Sequence, residues 1–173
     1  MADLLESLPT ADWDQPSLCA DWTVRDVAAH LTFAQAGVFD VIWPMIRTGF
    51  RFNAMISYSA THSRLSHQQI VDALRGFVGS RRTAPMVSEM EPLLDILVHS
   101  QDICLPLGID HPMPVDAAAA AATRVVGTRW PLRLWSQPNG HRLVATDTPW
   151  SHGEGESIEA PIQDHLLALV GRR

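Results

Sequence analysis

The chain has 173 residues, of which 46% are hydrophobic and 18% charged. That fits one globular domain, or one domain with a small appendage, and excludes a disordered chain. Thirteen basic residues, all Arg, against 19 acids give a net charge of -6, which argues against a sequence-independent nucleic-acid binder.

No apolar run approaches the roughly 20 residues of a membrane span. The start Met1-Ala2-Asp3-Leu4-Leu5-Glu6 is acidic and lacks a signal-peptide pattern, so a soluble, cytoplasmic protein is expected. Cys19 and Cys104, far apart, make neither a disulfide framework nor a thiol-rich metal motif, and both read as small buried hydrophobes.

Residues 1–22 predict a short helix and then a lead-in punctuated by Pro9 and Pro16. Thr23 is a helix N-cap with Asp26 three residues on, a capping box with Asp in place of Glu. Val24, Val27, Leu31, Ala34 and Val38 follow at helical spacing, predicting one helix to about Trp43 that Pro44 ends or kinks. Residues 45–65 are partly helical.

Ser66 caps a second clear helix through about Arg82, with Ile70, Leu74, Phe77 and Val78 inward. Pro85 separates it from a third, from about Ser88 to Leu105, closed by Pro106-Leu107-Gly108. Pro114-Val115-Asp116 opens a fourth, Ala-rich helix ending near Trp130-Pro131.

The tail then changes period. Residues 132–137 and 142–146 alternate around Pro138-Asn139-Gly140, a hairpin signal. Trp150 to Gly155 reads as a loop, Ser157 to Ala160 as a further strand, and Ile162 to Leu169 as a last helix. The expected fold is mainly α: an antiparallel four-helix bundle over residues 1–131, with a small C-terminal hairpin and helix, 132–173, packed on it.

The third helix carries the chemistry. Asp95, His99 and Asp102 stand at i, i+4 and i+7, in one stripe of a segment otherwise nearly all apolar. The stripe is either the helix's solvent face or a polar seam facing a cavity. A carboxylate and an imidazole one turn apart can share a metal ion. His30 borders the core face of the first long helix. It is either a satisfied boundary histidine or the third member of a two-His, one-carboxylate set suited to zinc, iron or nickel. Asp102 orients a ligand imidazole or a bundle Arg, or else is a solvated carboxylate.

His62 and His67 flank a helix start and read as exposed; either would be a fourth ligand if the metal were structural. Arg25, Arg47, Arg51 and Arg172 are candidate anion contacts or plain surface charges.

The run from Leu18 to Leu31, which reads LCADWTVRDVAAHL, resembles the N-terminal signature of the mycothiol-dependent maleylpyruvate isomerase family, a branch of the DinB-like metal-dependent bundles. Asp95 to Ile103, carboxylate-x-x-x-His-x-x-Asp, resembles its second signature. Trp150 to Gly155 and Leu166 to Arg172 resemble its C-terminal pattern. The resemblance covers nearly the whole chain, and the two signatures are fairly specific only together.

The resemblance implies a four-helix bundle holding a divalent metal, usually zinc, through two His and one carboxylate, here His30, Asp95 and His99. It also implies mycothiol as the thiol, with Arg172 a candidate contact for it. In the isomerase proper the ligand carboxylate is Glu, one methylene longer than Asp95, and the C-terminal domain is larger.

The chemistry implied is a thiolate held at neutral pH and added to a small electrophile, giving S-transfer or cis-trans isomerisation. Neither Cys19 nor Cys104 reads as the attacking sulfur, so the thiol comes from outside. A homodimer is a further expectation. The alternative is a non-catalytic, metal-containing bundle that binds a small molecule or a regulatory partner.

Overall fold

The computed structural model describes residues 1–49, 51–80, 90–128 and 140–172. The chain is mainly helical, with a small three-stranded sheet near its C-terminus. It divides into two compact units, Met1–Asp110 and His111–Arg173. That boundary falls ahead of the Ala-rich helix, whereas the sequence reading put it at 131. No helix among the described residues is long and apolar enough to cross a membrane.

The first unit begins with α1 (Ala2–Ser7) and a 3-10 turn (Thr10–Asp14) that buries Trp13. α2 (Val24–Leu31) starts where the capping box places it. Thr23 Oγ accepts from the Asp26 N–H, and the Asp26 carboxylate accepts from the Thr23 N–H at 3.0 Å. This satisfies two N–H groups that a helix start leaves without partners.

The single helix expected to reach Trp43 is broken. The Thr32 hydroxyl folds back on Ala29 O at 2.7 Å, the turn Thr32–Gln35 tightens to 3-10, and Ala36 is extended. The chain restarts as α3 (Val38–Arg47), so Pro44 lies inside a helix and does not end one. α4 (Phe52–Thr61) accounts for much of the segment read as partly helical.

α5 (His67–Gly76) carries the second capping box, Ser66 with Gln69. It stops short of Arg82 because Gly76 weakens the helix and Gly79, at φ +76°, turns the chain. Phe77 still packs on the core, but Val78, expected inward, is 84% exposed. Pro85 and the expected start of the next helix at Ser88 lie outside the described residues.

α6 (Met90–Cys104) ends at a turn in which Gly108 takes φ +67° and the Ile109 N–H reaches back to Cys104 O. α2 packs against α4, α5 and α6, and α1 against α5. Their shared core holds Leu5, Trp13, Val24, Val27, Ile70 and Ile103, at about 1.5–3 kcal/mol for each large aliphatic side chain buried.

In the second unit α7 (Val115–Gly127) opens after Pro114 as expected. The expected strand 132–137, with Pro138 and Asn139, lies outside the described residues, as do Trp130 and Pro131. The strand after it forms as β1 (His141–Ala145). Its antiparallel partner is β2 (Ser151–Gly153), inside the stretch read as loop, and β3 (Glu156–Ala160) runs parallel on its other side.

The link from β2 to β3 crosses the start of β1. A Cβ on Gly153 (φ +91°) would lie 2.5 Å from His141 O, and one on Gly155 (φ +115°) would collide with Gly140 O. Alternation alone does not show that crossing. α8 (Ile162–Leu169) has the expected bounds and packs against α7.

Candidate metal centre

Two helices of the first unit bring the candidate ligands together. Val24, Val27, Ala28, Ala29 and Leu31 fix the rotation of α2 by burial and leave His30 on the flank, its side chain 14% exposed. On α6, Leu97, Val98 and the run from Ser100 to Cys104 are buried, while Asp95 and His99 are partly exposed.

His30 Nε2 lies 4.0 Å from Asp95 Oδ2. The rings of His30 and His99 meet edge to face at 5.0 Å. One ligand atom from each of His30, Asp95 and His99 lies within 4.8 Å of the other two. A tetrahedral ion bound at about 2.0–2.1 Å spaces nitrogen and oxygen ligands roughly 3.3 Å apart, so the donors fit an ion after closing by less than their own radius.

Electrostatics favour a cation at this point. Burial, then the charge of His99, pushes His30 from 6.5 down to about 4, so at neutral pH it is an imidazole with an available lone pair. Burial raises Asp95 above the usual carboxylate range; His99 opposes this and Glu91 adds to it. A bound cation relieves the desolvated carboxylate and uses the neutral ring without displacing a proton from it.

Behind His99, on its Nδ1 side, lie Asp102 and Cys19. Asp102 is fully buried and its Oδ2 stands 2.8 Å from His99 Nδ1. The stripe therefore runs from the rim at Asp95, 47% exposed, into the interior, and the reading of Asp102 as a solvated carboxylate does not hold. Cys19 is the residue that sequence reasoning missed. Its Sγ is 3.1 Å from the same Asp102 Oδ2 and 3.6 Å from His99 Nδ1. Cys19, His99 and Asp102 form a second compact group of donor atoms.

The turn that delivers Cys19 is tight. The Trp22 N–H donates to Cys19 O at 3.1 Å, and Asp21 takes φ +63°, a left-handed conformation rare outside Gly, Asn and Asp. Trp22 packs edgewise on His30 at 5.4 Å.

The other candidates go elsewhere. Arg25 donates to the carbonyls of Ser63 and Leu65, a structural tie. Arg47 lies over the Tyr58 ring, and Arg51 is an exposed helix cap. Arg172 belongs to the second unit, where its N–H closes α8 on Leu167 O. His62 stacks on Tyr58 and is exposed; His67 stacks on Trp13 at 4.1 Å and is partly buried. Neither joins a ligand cluster among the described residues. Cys104 is buried and its thiol is pushed up to about 11, so it is not a nucleophile.

Residues 1–86 match the family model described as the mycothiol maleylpyruvate isomerase N-terminal domain. The matched segment holds Cys19, Trp22 and His30; Asp95, His99 and Asp102 lie beyond it. No curated protein and no solved structure matches the chain with significance.

Proposed function

Over residues 1–86 the chain belongs to the mycothiol maleylpyruvate isomerase N-terminal domain family, and from that premise we propose that it is a metal-dependent enzyme of small-thiol chemistry on a DinB-like helical scaffold. The thiol is mycothiol by family, and the reaction is S-transfer to, or cis-trans isomerisation of, a small electrophile. The observation that carries this reading is the convergence of His30, Asp95 and His99, with His30 neutral at physiological pH.

A divalent ion held there, zinc by donor type with nickel or iron as alternatives, supplies the Lewis acidity that lets a thiol stay deprotonated near neutral pH. The chain's own residues hold and orient. His30 and Asp95 approach from two helices, and Asp102 accepts from His99 Nδ1, which leaves Nε2 as the nitrogen for a ligand. Three protein ligands leave a coordination position for substrate. Buried Cys104 does not compete as attacking sulfur. A reducing cytoplasm, where small thiols persist, suits the chemistry.

The test is metal analysis of the purified protein followed by a thiol-consumption screen against electrophiles. Full metal content in both His30→Ala and His99→Ala would overturn the ligand assignment. Binding of a small molecule near the metal without turnover would favour a non-catalytic binding role.

A further inference from the structure

We propose that Cys19 is a positioning residue of this centre, acting on His99 through the buried carboxylate of Asp102. The inference rests on the reading of His99 as a ligand, and it concerns a residue that the composition alone marks as inert.

Asp102 is fully buried, and one of its oxygens, Oδ2, is the common contact of two side chains: His99 Nδ1 at 2.8 Å and Cys19 Sγ at 3.1 Å. The thiol donates to this oxygen, and in the proposed arrangement the ring N–H donates to it as well. The ring is thereby fixed in the tautomer with its proton on Nδ1. The main chain adds a third tie, because the Leu18 N–H donates to Asp102 O at 3.0 Å. Residues 18 and 19 thus grip Asp102 at both its backbone and its side chain.

The same turn delivers Trp22 to the other imidazole, His30. One four-residue turn, with Asp21 held at φ +63°, therefore sets residues against both histidines of the candidate centre. Asp is one of the few side chains that takes this left-handed conformation readily, so the residue at position 21 suits the turn. A buried carboxylate with one donor removed keeps its desolvation cost but loses part of its compensation, so its hold on His99 loosens.

The experiment compares Cys19→Ala with Cys19→Ser. Both remove the sulfur, but only Ser keeps a donor. Two readouts are taken. In metal-free protein, imidazole ¹H–¹⁵N correlations report the His99 tautomer and the exchange of its Nδ1 proton. In cobalt-loaded protein, chelator competition reports affinity and the visible spectrum reports geometry.

The expected result is a slowly exchanging Nδ1 proton in wild type and Cys19→Ser, and fast exchange in Cys19→Ala. Metal affinity should fall on the order of tenfold in Cys19→Ala, the lower end of what outer-shell partners of a ligand histidine contribute, with Ser nearer to wild type. Equal losses in Ser and Ala would reduce Cys19 to packing and overturn the proposal, as would an unchanged Nδ1 proton in Ala. A sulfur-to-cobalt charge-transfer band in wild type would make Cys19 a ligand and also overturn it. If wild type binds no ion, the metal reading fails by itself while the tautomer readout still decides the role of Cys19.

Discussion

The rings of His30 and His99 lie 5.0 Å apart with their planes 85° to one another. That near-perpendicular pair has its two outer edges pinned differently. His99 is held from behind by Asp102, and His30 is wedged by Trp22. Their inner edges share the space that Asp95 faces. Burial desolvates the Asp95 carboxylate, and a divalent ion held between it and the two rings would offset that cost.

The first prediction follows from that geometry. His99→Ala should lower divalent-metal affinity by more than about 100-fold, beyond the 10–100-fold typical of an outer-shell partner. Asp95→Asn keeps the shape, removes the charge and should weaken binding less. Asp95→Glu should retain binding, because the 4.0 Å from His30 Nε2 to Asp95 Oδ2 exceeds ideal ligand spacing and a longer side chain can close it. Chelator competition on the metal-loaded variants measures all three.

The second prediction concerns pH. Burial depresses His30 from 6.5 to about 4, so the unfolded chain binds a proton more readily than the folded one between those values. Its neutral, buried state therefore contributes full stability above pH 6.5, and that stability is lost as pH falls through about 4. The span corresponds to about 3 kcal/mol as an upper figure. Urea midpoints of the metal-free protein should fall on acidification over this window, and His30→Gln should flatten the fall. An equally steep fall in the variant would assign the effect to other groups.

Much of this was legible in the sequence, and the reasons it was are local. Thr23 with Asp26, and Ser66 with Gln69, announce two helix starts because a cap is a short-range bargain between a side chain and an N–H. His30, Asp95 and His99 were legible as a set from helical phase and family signatures. The rest depends on contacts distant in sequence. Cys19 reaches Asp102 across 83 positions, and nothing in composition or period marks that pairing. The antiparallel partner of β1, Ser151–Gly153, was hidden too, because a Gly-rich stretch looks like a loop until its glycines are seen to clear the backbone of Gly140 and His141. The break after Leu31 was missed because apolar spacing runs on through Val38, while the Thr32 hydroxyl and Gly37 act against continuation.

The third prediction tests the helix that carries His30. Thr23→Ala removes the hydroxyl that accepts from the Asp26 N–H and should cost about 1 kcal/mol, or roughly 2–4 °C in Tm for a chain of this size. Thr23→Ser keeps the oxygen and should cost less. Thermal unfolding with and without metal separates the two consequences. The loss should persist without metal, since the cap acts on the helix and not on the ion.

The fourth prediction is the activity itself. The metal-loaded protein should accelerate addition of a low-molecular-weight thiol to an activated electrophile. A chelator, or His99→Ala, should return the rate to the uncatalysed one, because either removes the Lewis acid. Binding a thiol as thiolate releases a proton, so affinity for the thiol should rise with pH until hydroxide competes for the open position. Cys104→Ala should leave the rate unchanged, because Cys104 is buried and its thiol stays protonated until about pH 11. Stopped-flow thiol consumption, with and without chelator, measures each of these. Activity that survives the chelator and dies in Cys104→Ala would mean an enzyme-borne thiol, and the external-thiol mechanism would then be wrong.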